Sequence, residues 1–150
     1  MLSGRSEMFR VVRRMGLRDY RDVTSALWAL VCARAQLWRR PIGNLVAAEA
    51  PPPRAMQPVP SEAQRWARAV NRAVTYGPYR AKCLVRSIAI KRLLDRHGIA
   101  GSRVCVGVRN VGGKFAAHAW VDLAGHTIGD DAASVGRFER LDGIRLTGGR

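Results

Sequence analysis

The feature that most constrains this chain is a change of hydrophobic period at Gly101. Upstream of it, apolar residues recur every three or four positions, the spacing of one face of a helix. Residues 19–40 place Val23, Leu27, Leu30, Val31, Ala35 and Trp38 on one stripe, which predicts a helix packing that stripe on a core. Residues 61–76 place Ala63, Trp66, Ala67, Val70, Ala73 and Val74 on another. A Ser61-x-x-Gln64 capping box would start that helix, and Tyr76, Gly77 and Pro78 would end it. Residues 83–97 are apolar on several sides, the mark of a buried helix, with Gly98 as its C-terminal cap.

Downstream the period is two. Val104, Val106 and Val108 alternate with Cys105, Gly107 and Arg109, and Gly112–Gly113 makes a turn. Lys114–Leu123 then reads as a second strand, with Phe115, Ala117, Ala119, Val121 and Leu123 on its apolar face. Ala116, His118, Trp120 and Asp122 take the other face. Ala124 and Gly125 turn the chain into a short third strand over 126–130, and from about Ala132 the patterning is weak. Helices followed by an antiparallel meander predict an α+β fold, with a central helix packed on a small antiparallel sheet.

A chain of 150 residues suits one domain with a sizeable core. Five prolines between residues 50 and 60 force extended backbone, so this stretch reads as a linker. The chain thus divides into an N-terminal helical region at 1–49, a Pro-rich linker at 50–60 and a core at 61–150. Lys and Arg number 26 against 11 Asp and Glu, a net charge of +15. Such a field draws polyanions: nucleic acid, anionic lipid or an acidic peptide. Nucleic acid is not expected, because no RNP-like aromatics and no KH-type loop are present. The arginines flanking residues 19–40 allow weak contact with a membrane surface. No stretch approaches the roughly 20 apolar residues of a bilayer span, and no signal-peptide pattern opens the chain, which predicts a cytoplasmic protein.

Three cysteines, Cys32, Cys83 and Cys105, make no disulfide framework and suit a reducing compartment. With no CxxC and no zinc-ligand spacing, neither a metal nor another cofactor is expected. Cys83 stands out because it opens a predicted helix, where orphan amides and the dipole favour a thiolate nucleophile. His118 lies mid-strand between alanines that leave room for an imidazole and an approaching substrate backbone. A cysteine at a helix start and a histidine on a later strand form the pairing of thiol acyl-transfer chemistry. The orienting third member must lie beside the histidine. Asp122 is on the same strand face but about 13 Å away. A three-residue loop over 123–125 would set His118 opposite Asp130, whereas a two-residue loop would set it opposite Asp131. His97 and His126 read as helix-end and turn-flanking surface residues, and Cys32 and Cys105 as packing.

CysLeuValArgSerIleAlaIle at 83–90, ArgHisGlyIle at 96–99, ValGlyValArg at 106–109 and PheAlaAlaHisAlaTrpValAsp at 115–122 together resemble the transglutaminase-like, papain-like core. They are most similar to its lasso-peptide maturation branch, the leader peptidases. The resemblance is dense over 79–131. It implies a Cys83–His118–Asp130 triad in a transglutaminase-like cysteine peptidase core at 61–150. Where the family usually carries Glu, this chain has Asp122. The implied substrate is a ribosomally made precursor whose leader peptide is held by a separate leader-recognition protein. The region before Ser61 reads helical rather than as a small β-rich recognition domain, which matches the stand-alone peptidase of a split system. The implied downstream partner is an asparagine-synthetase-like cyclase. The same triad would also serve an acyltransferase that passes the acyl group to an amine, and the charge alone would suit a non-enzymatic basic peptide- or RNA-binding protein.

Overall fold

A computed structural model of the protein describes residues 16–39 and 59–141, and all but the last two residues of the proline-rich stretch lie outside them. In chain order the elements are α1 (Leu17–Arg39), α2 (Ser61–Tyr76), α3 (Cys83–Arg96), β1 (Ser102–Val111), β2 (Lys114–Leu123), β3 (His126–Ile128), α4 (Ala132–Val135) and β4 (Glu139–Arg140). The strands form one antiparallel sheet in the order β3-β2-β1-β4, so the architecture is α+β. Both hairpin turns are two residues long with both central residues at positive φ: Gly112 at 58° and Gly113 at 80°, then Ala124 at 53° and Gly125 at 84°. That geometry matches the twist of the flanking strands.

The core lies between the three long helices and the inner face of the sheet. Val70, Ile90, Leu94, Val121 and Ile128 meet there fully buried. Burying one Ile or Leu side chain contributes about 1.5–3 kcal/mol. α1 enters this same core through a face that shares Val23, Leu27 and Leu30 with the predicted stripe but is turned away from the rest of it. Ala26, Ala29, Leu30 and Ala33 are buried, whereas Val31, Ala35 and Trp38 are exposed. Small residues win because they let α1 approach α2 and α3 closely, which bulky residues on that face would prevent.

Three further expectations change. The capping box does not form: Pro60 is the N-cap of α2, and no side chain caps the helix. On β2 only the distal part of the apolar face is inside, with Ala119, Val121 and Leu123 buried and Phe115 81% exposed. The hairpin projects past the helices there. The third strand ends at Ile128 because Gly129, at φ 78°, turns the chain out of the ladder. An added Cβ at Gly129 would lie 2.7 Å from Ile90 Cδ1, so both space and backbone demand glycine there.

Candidate active site

α3 begins at Cys83 with an open mouth. Its N-cap, Lys82, supplies no side-chain cap, and the first intrahelical acceptor is the Lys82 carbonyl, taken by the Arg86 amide at 3.0 Å. The amides of Cys83, Leu84 and Val85 therefore have no partner within the helix, as at any helix start. Cys83 is a half-buried free thiol. Arg86 and Ser87 follow at i+3 and i+4 and share its face of the helix.

Those two residues tie the cysteine's turn to the sheet. The Ser87 hydroxyl lies 3.0 Å from the Cys83 carbonyl oxygen and 3.0 Å from that of Ala119, the residue after His118. One hydroxyl thus holds the two backbones with their carbonyl oxygens no more than about 6 Å apart. Ser87 is 1% exposed, so the link is shielded from water. Arg86 reaches the edge of the sheet and donates from Nη2 to Asp130 Oδ2. The same oxygen lies 2.9 Å from His118 Nε2. A carboxylate at Nε2 favours the tautomer with hydrogen there and leaves the Nδ1 lone pair available to accept a proton.

Asp130 arrives by a route other than the expected loop. The turn after β2 has two residues, and the register pairs Leu123 with His126 and Asp122 with Thr127. The three-residue loop, with Asp122 facing His126, is not formed. Extended further, this register would carry Asp131 to His118. The break at Gly129 stops the ladder first, and Asp130 swings into the gap beside the histidine. Asn71 of α2 fixes the bend by donating from Nδ2 to the Gly129 carbonyl at 2.8 Å. Asp131 faces away and caps α4, accepting from the Ser134 amide at 3.0 Å and its hydroxyl at 2.8 Å. Those bonds hold its carboxyl below the usual carboxylate range.

The imidazole of His118 has aromatic neighbours. The Phe138 ring centroid is 5.3 Å away and that of Trp120 is 6.3 Å away. Gly107, opposite His118 on β1, makes this arrangement possible. A Cβ there would come within 2.9 Å of Phe138 Cβ, Trp120 Cη2 and the Glu139 carbonyl oxygen. Phe138 lies in the stretch whose sequence shows weak patterning, and only its neighbours in space reveal its place. On the same face, Cys105 is buried with Trp120 and Val135. Burial pushes its thiol up, partly offset by Arg140, whose Nη2 is 2.6 Å from the sulfur. Asp122 is buried in a structural role, accepting from the Gly125 amide at 3.3 Å and pairing with Arg103 at 3.6 Å.

A cleft of about 540 Å³ opens beside Asp130, lined by Arg68, Asn71, Thr75, Arg86, Gly129 and Asp131 among others. Among the described residues, no group of three or more His, Cys, Asp or Glu could hold a metal ion. A family model described as the transglutaminase-like superfamily matches residues 26–142, from the middle of α1 through β4. No curated protein and no solved structure matches the chain.

Proposed function

This chain belongs to the transglutaminase-like superfamily, whose members are typically cysteine-protease-like enzymes, and from that premise we propose that it is a cysteine peptidase. Its substrate in this reading is a ribosomally made lasso precursor peptide, from which it removes the leader. The observation that carries the chemical part is the oxygen of Asp130 bonded to His118 Nε2, beside a helix start that bears a free thiol. The substrate assignment rests on the joint resemblance of the Cys83 and His118 motifs to leader peptidases. The separate recognition protein, the cyclase and a cytoplasmic setting belong to the same proposal.

In this reading Cys83 and His118 share the chemistry. The Cys83 sulfur, its proton taken by His118 Nδ1, attacks the carbonyl at the leader–core junction. Unpartnered amides at the start of α3 can stabilise the oxyanion that forms. The imidazolium then gives its proton to the leaving amine, the C–N bond breaks, and a thioester joins the leader to Cys83. Water, deprotonated by His118, attacks the thioester and releases the leader carboxylate and the thiol. Asp130 holds the ring in one tautomer throughout. No described helix is long and apolar enough to cross a membrane.

The test is cleavage of a synthetic precursor, followed by mass spectrometry, with and without the recognition protein. Cys83→Ala should lower the rate at least about a thousandfold while leaving the circular dichroism spectrum unchanged. Full activity in that variant refutes the nucleophile. A product bearing a new amide instead of a free carboxylate would replace the peptidase by an acyltransferase.

A further inference from the structure

The outward face of α1 is at odds with a helix whose opposite face already fills the core. Of the eight large hydrophobic residues that the described chain exposes, five lie on this helix: Leu17, Tyr20, Trp28, Val31 and Trp38. They are not scattered. At 100° per residue they fall on one stripe, filled in by Thr24 and Ala35, diametrically opposite Ala26, Ala29 and Ala33. The stripe runs the length of the helix, about 32 Å from Leu17 to Trp38. Trp38 is 80% exposed and Trp28 64%. A contiguous apolar ridge of this size on a soluble surface marks something that covers it.

The charges beside the ridge identify the cover. Both acids of α1 turn toward α2, where Asp22 pairs with Arg65 at 2.7 Å and Asp19 with Arg72 at 3.4 Å. What remains outward is cationic. Arg18, Arg21 and Arg39 flank one side of the stripe, and Arg34 the other, its guanidinium lying over the Trp38 and Tyr79 rings. The whole chain carries +15. Tryptophan and tyrosine on a ridge whose outward charges on α1 are all arginine is the composition that settles at the headgroup level of an anionic bilayer. The clefts that adjoin the ridge at Leu17 and Trp28 are lined in part by Arg18, Arg21, Arg92 and Arg96, which suit lipid phosphates better than the apolar anchor of a protein partner.

We propose that α1 docks the protein on an anionic membrane surface, its outward stripe lying in the plane of the interface while its alanine face stays in the core. The contact is peripheral, and it is independent of the peptidase assignment, because none of these residues touches Cys83, His118 or Asp130. The partner is anionic lipid rather than an acidic protein or a second copy of the chain.

The test uses the full chain and sedimentation with vesicles of phosphatidylcholine alone or of phosphatidylcholine with phosphatidylglycerol. The protein should pellet with the anionic vesicles and not with the neutral ones, and salt should weaken the binding. The double variant W28S/W38S should lose at least about tenfold in partition coefficient, with an unchanged circular dichroism spectrum since both side chains are exposed. Equal binding by the double variant would reduce the effect to nonspecific charge attraction and overturn the proposal. So would absence of binding to anionic vesicles. So would a homodimer in sedimentation velocity that the double variant dissolves, or a tight complex with an acidic protein that abolishes vesicle binding.

Discussion

Among the aspartate–arginine pairs that join distant parts of this chain, those of Asp22 and Asp130 differ in what each carboxylate has left to offer. Asp22 on α1 gives both oxygens to Arg65 on α2, at 2.7 and 2.8 Å, a bidentate grip. Asp130 offers Oδ2 to two partners at once, Arg86 Nη2 and His118 Nε2. The first pair is closed: its hydrogen bonds join two helices and lead nowhere else. The second is a relay between the helix that bears a thiol and the strand that bears an imidazole. It is also less well satisfied, since Arg86 Nε is buried without a hydrogen-bond partner among the described residues. Such an imperfect buried polar group is costly, and it is tolerated most often where geometry serves something other than stability. The comparison implies that breaking the second pair should damage catalysis and breaking the first should damage folding.

The largest expected effect is at Asp130. Without its carboxylate, His118 loses the partner that fixes its tautomer, and the ring can present the wrong nitrogen to the thiol. Asp130→Ala should lower kcat for precursor cleavage by about a thousandfold at temperatures well below the thermal midpoint, which itself falls because Arg86 loses its carboxylate. Asp131→Ala, one residue on, should leave kcat nearly intact, because that carboxylate caps α4 instead. Equal losses in the two variants would erase the distinction on which the site rests.

Arg86 comes next. It does not touch the reacting atoms in the proposed mechanism, so it is a positioning residue that holds Asp130 against His118. Arg86→Gln should reduce kcat about ten- to a hundredfold and leave KM close to the wild-type value. Arg86→Lys keeps the charge but not the fork and should recover part of the loss. If KM rose and kcat held, Arg86 would instead be binding substrate in the adjoining cleft.

How much of this could be read from the residues varies from place to place. The change of period at Gly101, the Gly112–Gly113 hairpin and the helix start at Cys83 were legible because each depends on local backbone chemistry. The buried face of α1 was legible only in part: Val23, Leu27 and Leu30 do pack on the core, but two stripes compete on this helix. The bulkier one faces outward because close helix packing selects alanine. The approach of Asp130 to His118 was legible from motif resemblance but not from loop counting. The two-residue turn alone would have delivered Asp131, and the positive φ of Gly129 decides otherwise. Ser87, Asn71 and Phe138 were invisible as site residues, since each acts through contacts 12 or more positions away in the chain. Gly107 offered a weak signal, a glycine inside a strand, which often marks a close approach of another segment.

The smallest effect expected is at the closed pair. The hydrogen bond from Arg65, assisted by its charge and opposed by burial, holds the Asp22 carboxyl below its ordinary value. A group whose folded value is depressed stabilises the fold fully above its unfolded value, near about 4, and loses that contribution as pH falls through the lower folded value. Arg65 is more than a third exposed, so solvent screening trims the contribution to about 1 kcal/mol. Asp22→Asn should therefore lower the thermal midpoint at neutral pH by about 2–4 °C. It should also flatten the loss of stability below about pH 4, because the variant has no carboxyl there to protonate. Cleavage at temperatures well below the midpoint should be unchanged. A variant that melts like the wild type at pH 7 but cleaves slowly would mean that the closed pair reaches the site after all, through α2 and the Asn71 bond to the Gly129 bend.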